Sequence, residues 1–548
     1  MAAPDNATIA ERLEAMAVLL DLAGAGTYSV RAYRRAAELI RSTPAPVVEL
    51  VRAGRVRELR GIGPSIEARL RELVETGELA ELRELERDVL PEIVGFGRLL
   101  GLSARRSADW ARALGVSTAA EFGEAIRSGA LRGVAGVGPV TEAKLLEALD
   151  RPAPRPRRGL LLNRSRALTG SIATALGGVP AGDARRFAEL AVRLAVVVAT
   201  DRPREALDRF AALPEIVAVV DREETRALGV TVEGVPIELV AAPPAAFGTA
   251  LLRATGSEEY VAALEPLPDA SDEEGVYRAL GLPYLPPELR ETPTRAAPPQ
   301  LVELAEIRGD LHCHTTWSDG RATVREMAEA AIARGYEYVA ICDHTPAVGA
   351  VPGLDADAIR RQGEEIARLN EELAPFRVLR GAECDILPDG SLDLPDDVLV
   401  ELDWVQASVH RGQRGSREQL TRRTLAAARH PAVSSISHPQ GRILNHRPPN
   451  EVDLEAVFAA CAETGTAVET NGLPDRIDLA GELVREAIRA GVAITASTDA
   501  HSTRGLGNIE LAVGTARRGW ATAVDVLNTR PLDELLELRR RKPAIRTK

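Results

Sequence analysis

The stretch GDLHCHTTWSDG, Gly309 to Gly320, decides how the second half of this chain is read. A short apolar run ends on two histidines two residues apart, and an aspartate follows. On extended backbone, residues i and i+2 face the same side, so His312 and His314 present both imidazoles to one place. STDAH repeats that geometry near the other end, with Asp499 and His501. Between them, β-type runs alternate with helical stretches: YEYVAICDH, FRVLRGAECDI, DWVQASVH, VSSISHP, TAVETNG and VAITASTDAH. Such alternation predicts parallel strands with crossover helices, as an open sheet or a barrel. His344, Glu383, His410, His438, Asn471, Asp499 and His501 fall at or just past the C-terminal end of an expected strand. In a βα barrel, active sites assemble on that rim.

All eight histidines of the 548-residue chain lie between His312 and His501. Neutral imidazole and carboxylate supply N and O ligands to divalent cations, and a shared carboxylate can hold two ions close together. The candidate ligands are His312, His314, Asp319, His344, Glu383, His410, His438, Asp499 and His501. Any one histidine alone could equally be a hydrogen-bonded structural residue. Nine such residues in this arrangement point to a polynuclear metal site. His430 and His446 fall outside these motifs and have no assigned role. The cysteines, Cys313, Cys342, Cys384 and Cys461, form no CxxC pair and read as small buried side chains.

The length predicts about three or four domains. Hydrophobic residues make up 45% and charged residues 27%, a soluble balance. No apolar run approaches the roughly 18 residues of a membrane helix. The N-terminus lacks a basic region followed by an apolar core, so a cytoplasmic protein with no membrane partner is expected. The net charge of −12 argues against nucleic-acid binding by bulk charge. RPAPRPRRGLLLNRSR, Arg151 to Arg166, nevertheless carries six arginines and no acid, suiting either a phosphate backbone or a solvated linker.

Thr8 to Glu86 reads as helical, with Ile9, Leu13, Met16, Leu19 and Leu20 at helical spacing. Two glycine turns stand in this kind of context, Gly61-Ile62-Gly63 and Gly136-Val137-Gly138, each followed by an amphipathic helix. Such a hairpin aims backbone N–H groups at a phosphate, so Gly61, Gly63, Gly136 and Gly138 are candidate DNA-binding positions; ordinary helix–helix turns are the other reading. Pro152 to Pro156 mark a boundary. LAVVVAT, IVAVV and VTVEGVPIELVAA then predict an α+β domain, and ETPTRAAPPQ, Glu291 to Gln300, a linker.

GDLHCHTTWSDG, AICDH, GAECDI, SVH, SHPQGR and STDAH together resemble the polymerase-and-histidinol-phosphatase (PHP) family of metal-dependent phosphoesterases. The resemblance implies a distorted seven-stranded βα barrel with up to three Zn²⁺, Mn²⁺ or Fe²⁺ ions, a choice the mixed N/O ligands do not make. It places one ion on His312, His314, Glu383 and Asp499. Glu383 would bridge to a second ion on His410 and His438, and Asp319, His344 and His501 would hold the third. Arg442, in HPQGR, would be either a phosphate clamp acting beside Glu383 in catalysis or half of a structural salt bridge.

TYSVRAYRRAAELIRS, LRGIGPSIEARLRELVETG, GDARRFAELAV, AFGTALLRATGS and EGVYRALGLPYLPPELRE resemble bacterial family-X DNA polymerases that carry a C-terminal PHP domain. The implied order is a lyase-like helical domain with a helix-hairpin-helix (1–86), a fingers-like helical domain with a second hairpin (87–151), a palm (157–242), a thumb-like segment (243–290), a linker (291–308) and the PHP domain (309–548). The palm departs from the family. Its Asp-x-Asp metal pair is replaced by Arg193 and Ala195, and the third carboxylate is Glu238. Arg253 and Ala254 stand where an aromatic pair precedes Thr255-Gly256-Ser257. An arginine repels Mg²⁺, so polymerase activity is expected to be lost. The lyase position holds Arg69, and a guanidinium does not form a Schiff base. The leading expectation is a DNA-processing phosphoesterase, a 3′–5′ exonuclease or 3′-end processing enzyme. The alternatives are a polymerase with altered ligands such as Glu189 and Glu238, a non-catalytic DNA-repair scaffold, and a small-molecule phosphatase of the histidinol-phosphate kind. The oligomeric state is left open.

Overall fold

The computed structural model describes residues 6–22, 27–42, 47–59, 62–82, 104–134, 137–138, 159–231, 233–349 and 351–540, with positions 102, 141, 143, 145 and 146 besides. Helices Asn6–Leu22, Thr27–Ser42, Val47–Arg52 and Pro64–Thr76 share one apolar core that includes Ile9, Leu13, Met16, Ile40, Leu70 and Leu73. Helices Ala104–Leu114 and Ala119–Arg127 pack separately around Trp110, Phe122 and Leu131. No helix among the described residues is long and apolar enough to cross a membrane.

Five strands form the mixed sheet of the region expected to be the palm, and that name is kept for it: β1 (Val179–Gly182), β2 (Leu194–Ala199), β3 (Ile216–Arg222), β4 (Arg226–Thr231) and β5 (Pro236–Ala242), in the order β1-β2-β5-β4-β3. The run VTVEGVPIELVAA is not one strand. Gly234 takes φ +74°, and its N–H donates to Thr231 O, turning the chain so that β4 and β5 form an antiparallel hairpin. Only the second half of the basic stretch lies among the described residues. Within it a two-residue strand and the start of helix Leu162–Leu176 cover Leu160 to Arg166, and Arg164 and Arg166 pair with Glu233 and Glu510. The other four arginines lie outside the described residues.

Seven parallel strands build the last domain: β6 (Gly309–Cys313), β7 (Tyr338–Ile341), β8 (Arg377–Asp385), β9 (Trp404–Ser408), β10 (Ser435–Ile436), β11 (Ala467–Asn471) and β12 (Ile494–Ser497). They pair in chain order with helices between them, as the alternating pattern requires. Residues of β6, β7, β9, β11 and β12 are buried throughout, which fits parallel strands covered on both faces. Past the ends of the first and last strands, Asp499 N donates to His312 O (3.0 Å) and His314 N to Ala500 O (2.9 Å), nearly closing the barrel.

The palm rests directly on this barrel. Phe187, with φ +57°, lies against Gly514 in helix Ile509–Arg518, and the Arg166 guanidinium stacks 4.0 Å above its ring. Leu162, Leu444, Ile477 and Leu511 form an apolar cluster with Leu161, Phe187 and Leu190 packed around it. Arg518 donates to Arg186 O (2.9 Å) and also pairs with Glu291 and Glu482. A Cβ on Gly514 would stand 1.9 Å from Phe187 Cδ1. Gly514→Ala is therefore expected to loosen the docking and destabilise the protein by about 1–3 kcal/mol, as overpacking does. Calorimetry should show a lower or split transition; an unchanged transition would contradict this packing.

Candidate metal centre

The barrel rim brings all nine candidate ligands to one pocket. His312 and His314 leave β6 with their Nε2 atoms 3.2 Å apart, and Asp499 Oδ1 lies 3.1 Å from His314 Nε2. Glu383, near the end of β8, reaches five histidines. Its Oε1 is 2.8 Å from His438 Nε2 and 3.5 Å from His410 Nε2, and its Oε2 is 2.9 Å from His344 Nδ1, 3.6 Å from His312 Nε2 and 3.7 Å from His314 Nε2. Asp319 lies 3.3 Å from His501 Nε2 and 3.8 Å from His344 Nε2. Three groups have one donor atom from each residue within 4.8 Å of the others: His314-Asp319-His344-His501, His312-His314-Asp499 and His344-Glu383-His410. His314 and His344 thus each belong to two groups, a more shared arrangement than the division expected from the sequence. His438 joins through Glu383.

These residues fit divalent cations. Donors bound at roughly 2.1 Å from one ion stand about 3–4 Å apart, the spacing seen here. Buried Nδ1 atoms of His314 and His438 have no hydrogen-bond partner among the described residues. Burial opposes ionisation of Glu383, yet the imidazoles of His410, His344 and His312 outweigh it and hold the carboxyl well below its usual range. Asp499 is held down likewise by His312 and His314, against its burial. Burial would raise Asp319 too, but His501, His314 and His344 bring it to about 2. The imidazoles split: burial pushes His410 down to about 3, whereas Asp319 and Asp499 overcome burial and lift His501 to about 9. Ionised carboxylates converging in a buried pocket favour cations there.

Around the donors stands a layer that the motifs did not single out, apart from Asn471, already expected on the rim. Glu469, fully buried on β11, accepts from His312 Nδ1 at 2.7 Å, from Ser437 Oγ at 2.8 Å and from His438 N at 2.9 Å. It thereby turns His312 Nε2 toward the pocket. Asp343 accepts from Thr315 N, Thr315 Oγ1 and Gln362 Nε2, fixing the turn that carries Asp319. Asp385 accepts from His410 N at 2.8 Å. Asn471 Nδ2 donates to Asp499 Oδ2 at 3.0 Å. The signal for these acids was their position in or next to the same strand-end motifs. His438 and Asp499 sit at φ +27° and +52°, backbone that non-glycine residues rarely adopt and that clusters at functional sites.

Arg442 is engaged elsewhere. Its Nε donates to Arg476 O (3.1 Å), its Nη2 to Ile477 O, and Nη2 also stands 3.4 Å from Glu189 Oε1 of the palm. These contacts fit the salt-bridge reading of Arg442. His430 pairs with Asp396, away from the ligands. The four cysteines are buried, and Cys313 Sγ turns to Ala340 O.

In the palm, Ala195 faces Glu238 across the β2–β5 ladder. Arg193 donates to Ala254 O (2.9 Å) and Gly256 O (2.7 Å), and Glu238 is bound by Arg226. Asp183, ahead of β2, accepts from Val192 N, Arg193 N and Arg186. Arg69 pairs with Glu72 and Glu81. Gly63 caps helix Pro64–Thr76, and Gly138 O accepts from Thr141 N. Gly61 and Gly136 lie outside the described residues.

Comparison with known proteins agrees with these two halves. A helix-hairpin-helix domain family matches residues 4–79, and the PHP domain family matches residues 310–445. A protein of Bacillus subtilis (strain 168) named DNA polymerase/3′-5′ exonuclease PolX is 33% identical over 558 aligned residues, covering 95% of this chain and 97% of its own. The chain belongs to the PolX family. Two proteins named probable phosphatases, from Acetivibrio thermocellus and Photobacterium profundum, are 31% and 33% identical over 37% of this chain and over 82% and 81% of their own. With a PHP domain and these relatives, the chain is a metal-dependent phosphoesterase.

Glu469→Gln keeps the shape of the side chain but weakens its hold on His312. Metal affinity should fall about 10–100-fold, measured by chelator competition. Unchanged affinity would remove Glu469 from this role. Stripping the metals from wild type should lower stability by about 3 kcal/mol relative to protein with free ion at 100 times Kd.

Proposed function

We propose that this chain is a DNA-processing phosphoesterase, a 3′–5′ exonuclease or 3′-end processing enzyme, whose PHP barrel cuts while the helix-hairpin-helix region holds DNA. The observation that carries the reading is the convergence of His312, His314, Asp319, His344, Glu383, His410, His438, Asp499 and His501 on one barrel rim. The ligand roles, up to three ions and Glu383 as the bridge belong to this proposal, as do the domain limits 1–86, 87–151, 157–242, 243–290 and 309–548. DNA as the substrate is supported by the hairpin domain and by the PolX relative across nearly the whole chain.

Divalent ions held by these residues supply Lewis acidity, providing an acidified water and neutralising charge on the phosphoryl oxygens. The chain's own part is to hold the donors. Glu469 and Asn471 orient His312 and Asp499, Asp343 holds the turn of Asp319, and Asp385 holds the backbone of His410. Loss of polymerase activity is part of the same reading. The guanidinium of Arg193 fills the position of a metal carboxylate and is tied to two carbonyls, so a Mg²⁺ ion there would meet a fixed positive charge. Lyase chemistry at Arg69 is absent for want of an amine.

Incubation of 3′-labelled primer–template with Mn²⁺ tests the reading. Wild type should shorten the primer, and His312→Ala and Glu383→Ala should reduce the rate by about 10³-fold or more, as removal of essential charge stabilisation does. No metal-dependent shortening, or shortening indifferent to both changes, would refute it.

A further inference from the structure

The loop from Gly472 to Ala480 follows β11 and passes beside the metal pocket. Its Arg476 stands out among the arginines near the site. Arg442 is used by two carbonyls and Glu189, Arg447 Nε donates to Gly441 O, and Arg423 donates to Arg411 O through Nη2 and leaves one buried nitrogen, Nε, without a partner among the described residues. Arg476, by contrast, has Nε and Nη1 buried and without a hydrogen-bond partner among the described residues. Its Nε lies 3.8 Å from Asp499 Oδ2, and its charge also bears on His410. It therefore stands between candidate ligands from two different groups. A buried donor without an acceptor is costly unless a ligand supplies one, and guanidinium donors match phosphoryl oxygens.

Arg476 does not set its own position. Ile477, next to it, is fully buried at φ +41°, a strained setting for a β-branched residue. That setting is held from outside the loop. Leu444 N donates to Asp475 O (2.7 Å), Arg442 grips the carbonyls of Arg476 and Ile477, and Leu161, Phe187 and Leu190 pack around the cluster that contains Ile477. Glu189, on the palm, completes the set through its ion pair with Arg442.

We propose that Arg476 binds the phosphoryl oxygens of the substrate, and that Glu189 of the palm is its positioning residue, acting through Arg442. This rests on the phosphoesterase reading above. The palm thereby serves the barrel: a turn next to the lost polymerase aspartates holds a residue of the hydrolytic site.

The full chain loaded with Mn²⁺ tests this by two readouts: titration calorimetry with inorganic phosphate, and kcat/KM on 3′-labelled DNA, with metal content measured for each variant. Arg476→Ala should keep its metals, bind phosphate at least about tenfold more weakly and lose about 10²-fold in kcat/KM. Arg476→Lys, which keeps the charge but not the planar fork, should fall between, and it carries the test if the alanine variant fails to fold. Glu189→Gln should lower kcat/KM by about three- to tenfold, and this effect should vanish in the Arg476→Ala background. Wild-type phosphate affinity in Arg476→Ala or Arg476→Lys would overturn the role of Arg476. A Glu189→Gln effect that persists undiminished without Arg476 would overturn the positioning route. Wild type that hydrolyses no phosphoester would refute the functional reading, while the phosphate titration would still decide on Arg476.

Discussion

Two backbone hydrogen bonds, Asp499 N to His312 O and His314 N to Ala500 O, join the first and last barrel strands. The residues beside them carry four of the nine candidate donors, so closing the barrel and assembling the site are one event. Asp310 reinforces the seam: it is fully buried, accepts from His312 N at 3.2 Å and from Thr498 N at 3.3 Å, and binds the Thr498 hydroxyl. Donors brought together this way bring charge with them. Burial opposes keeping Glu383, Asp499 and Asp319 ionised, and the surrounding imidazoles offset that only by crowding against one another. Divalent cations relieve both conflicts.

In the proposed reading, the palm is a polymerase frame kept without its metal pair. Arg193 closes onto the end of a helix, and Asp183 ties the turn before β2. Phe187 holds a left-handed backbone position and fits the space left by Gly514. Contacts of this kind give the palm a structural reason to remain.

Much of this was readable in the residues. Six of the seven barrel strands lie within the β-type runs read from the sequence, because strands buried on both faces favour apolar and β-branched residues. The ligands were found by their place at strand ends and their i, i+2 spacing. What was missed depends on contacts between distant segments. Glu469 is one of three polar residues in the strand Ala467–Asn471, and its 2.7 Å bond to His312 gives it a role. Arg442 stood in a motif that suggested phosphate, yet its partners come from a loop 34 residues on and from the palm. The β4–β5 hairpin was read as one run because its turn carries a single glycine, Gly234, among β-favouring residues.

The central proposal is that the barrel cuts DNA and that the palm no longer extends it. It is tested most directly by giving one preparation a labelled primer–template, Mn²⁺ and all four dNTPs, and following primer length in wild type and Glu383→Gln. The account predicts shortening alone in wild type and neither shortening nor extension in the variant. Extension of the primer in either protein, or shortening that survives the Glu383 change, would contradict it.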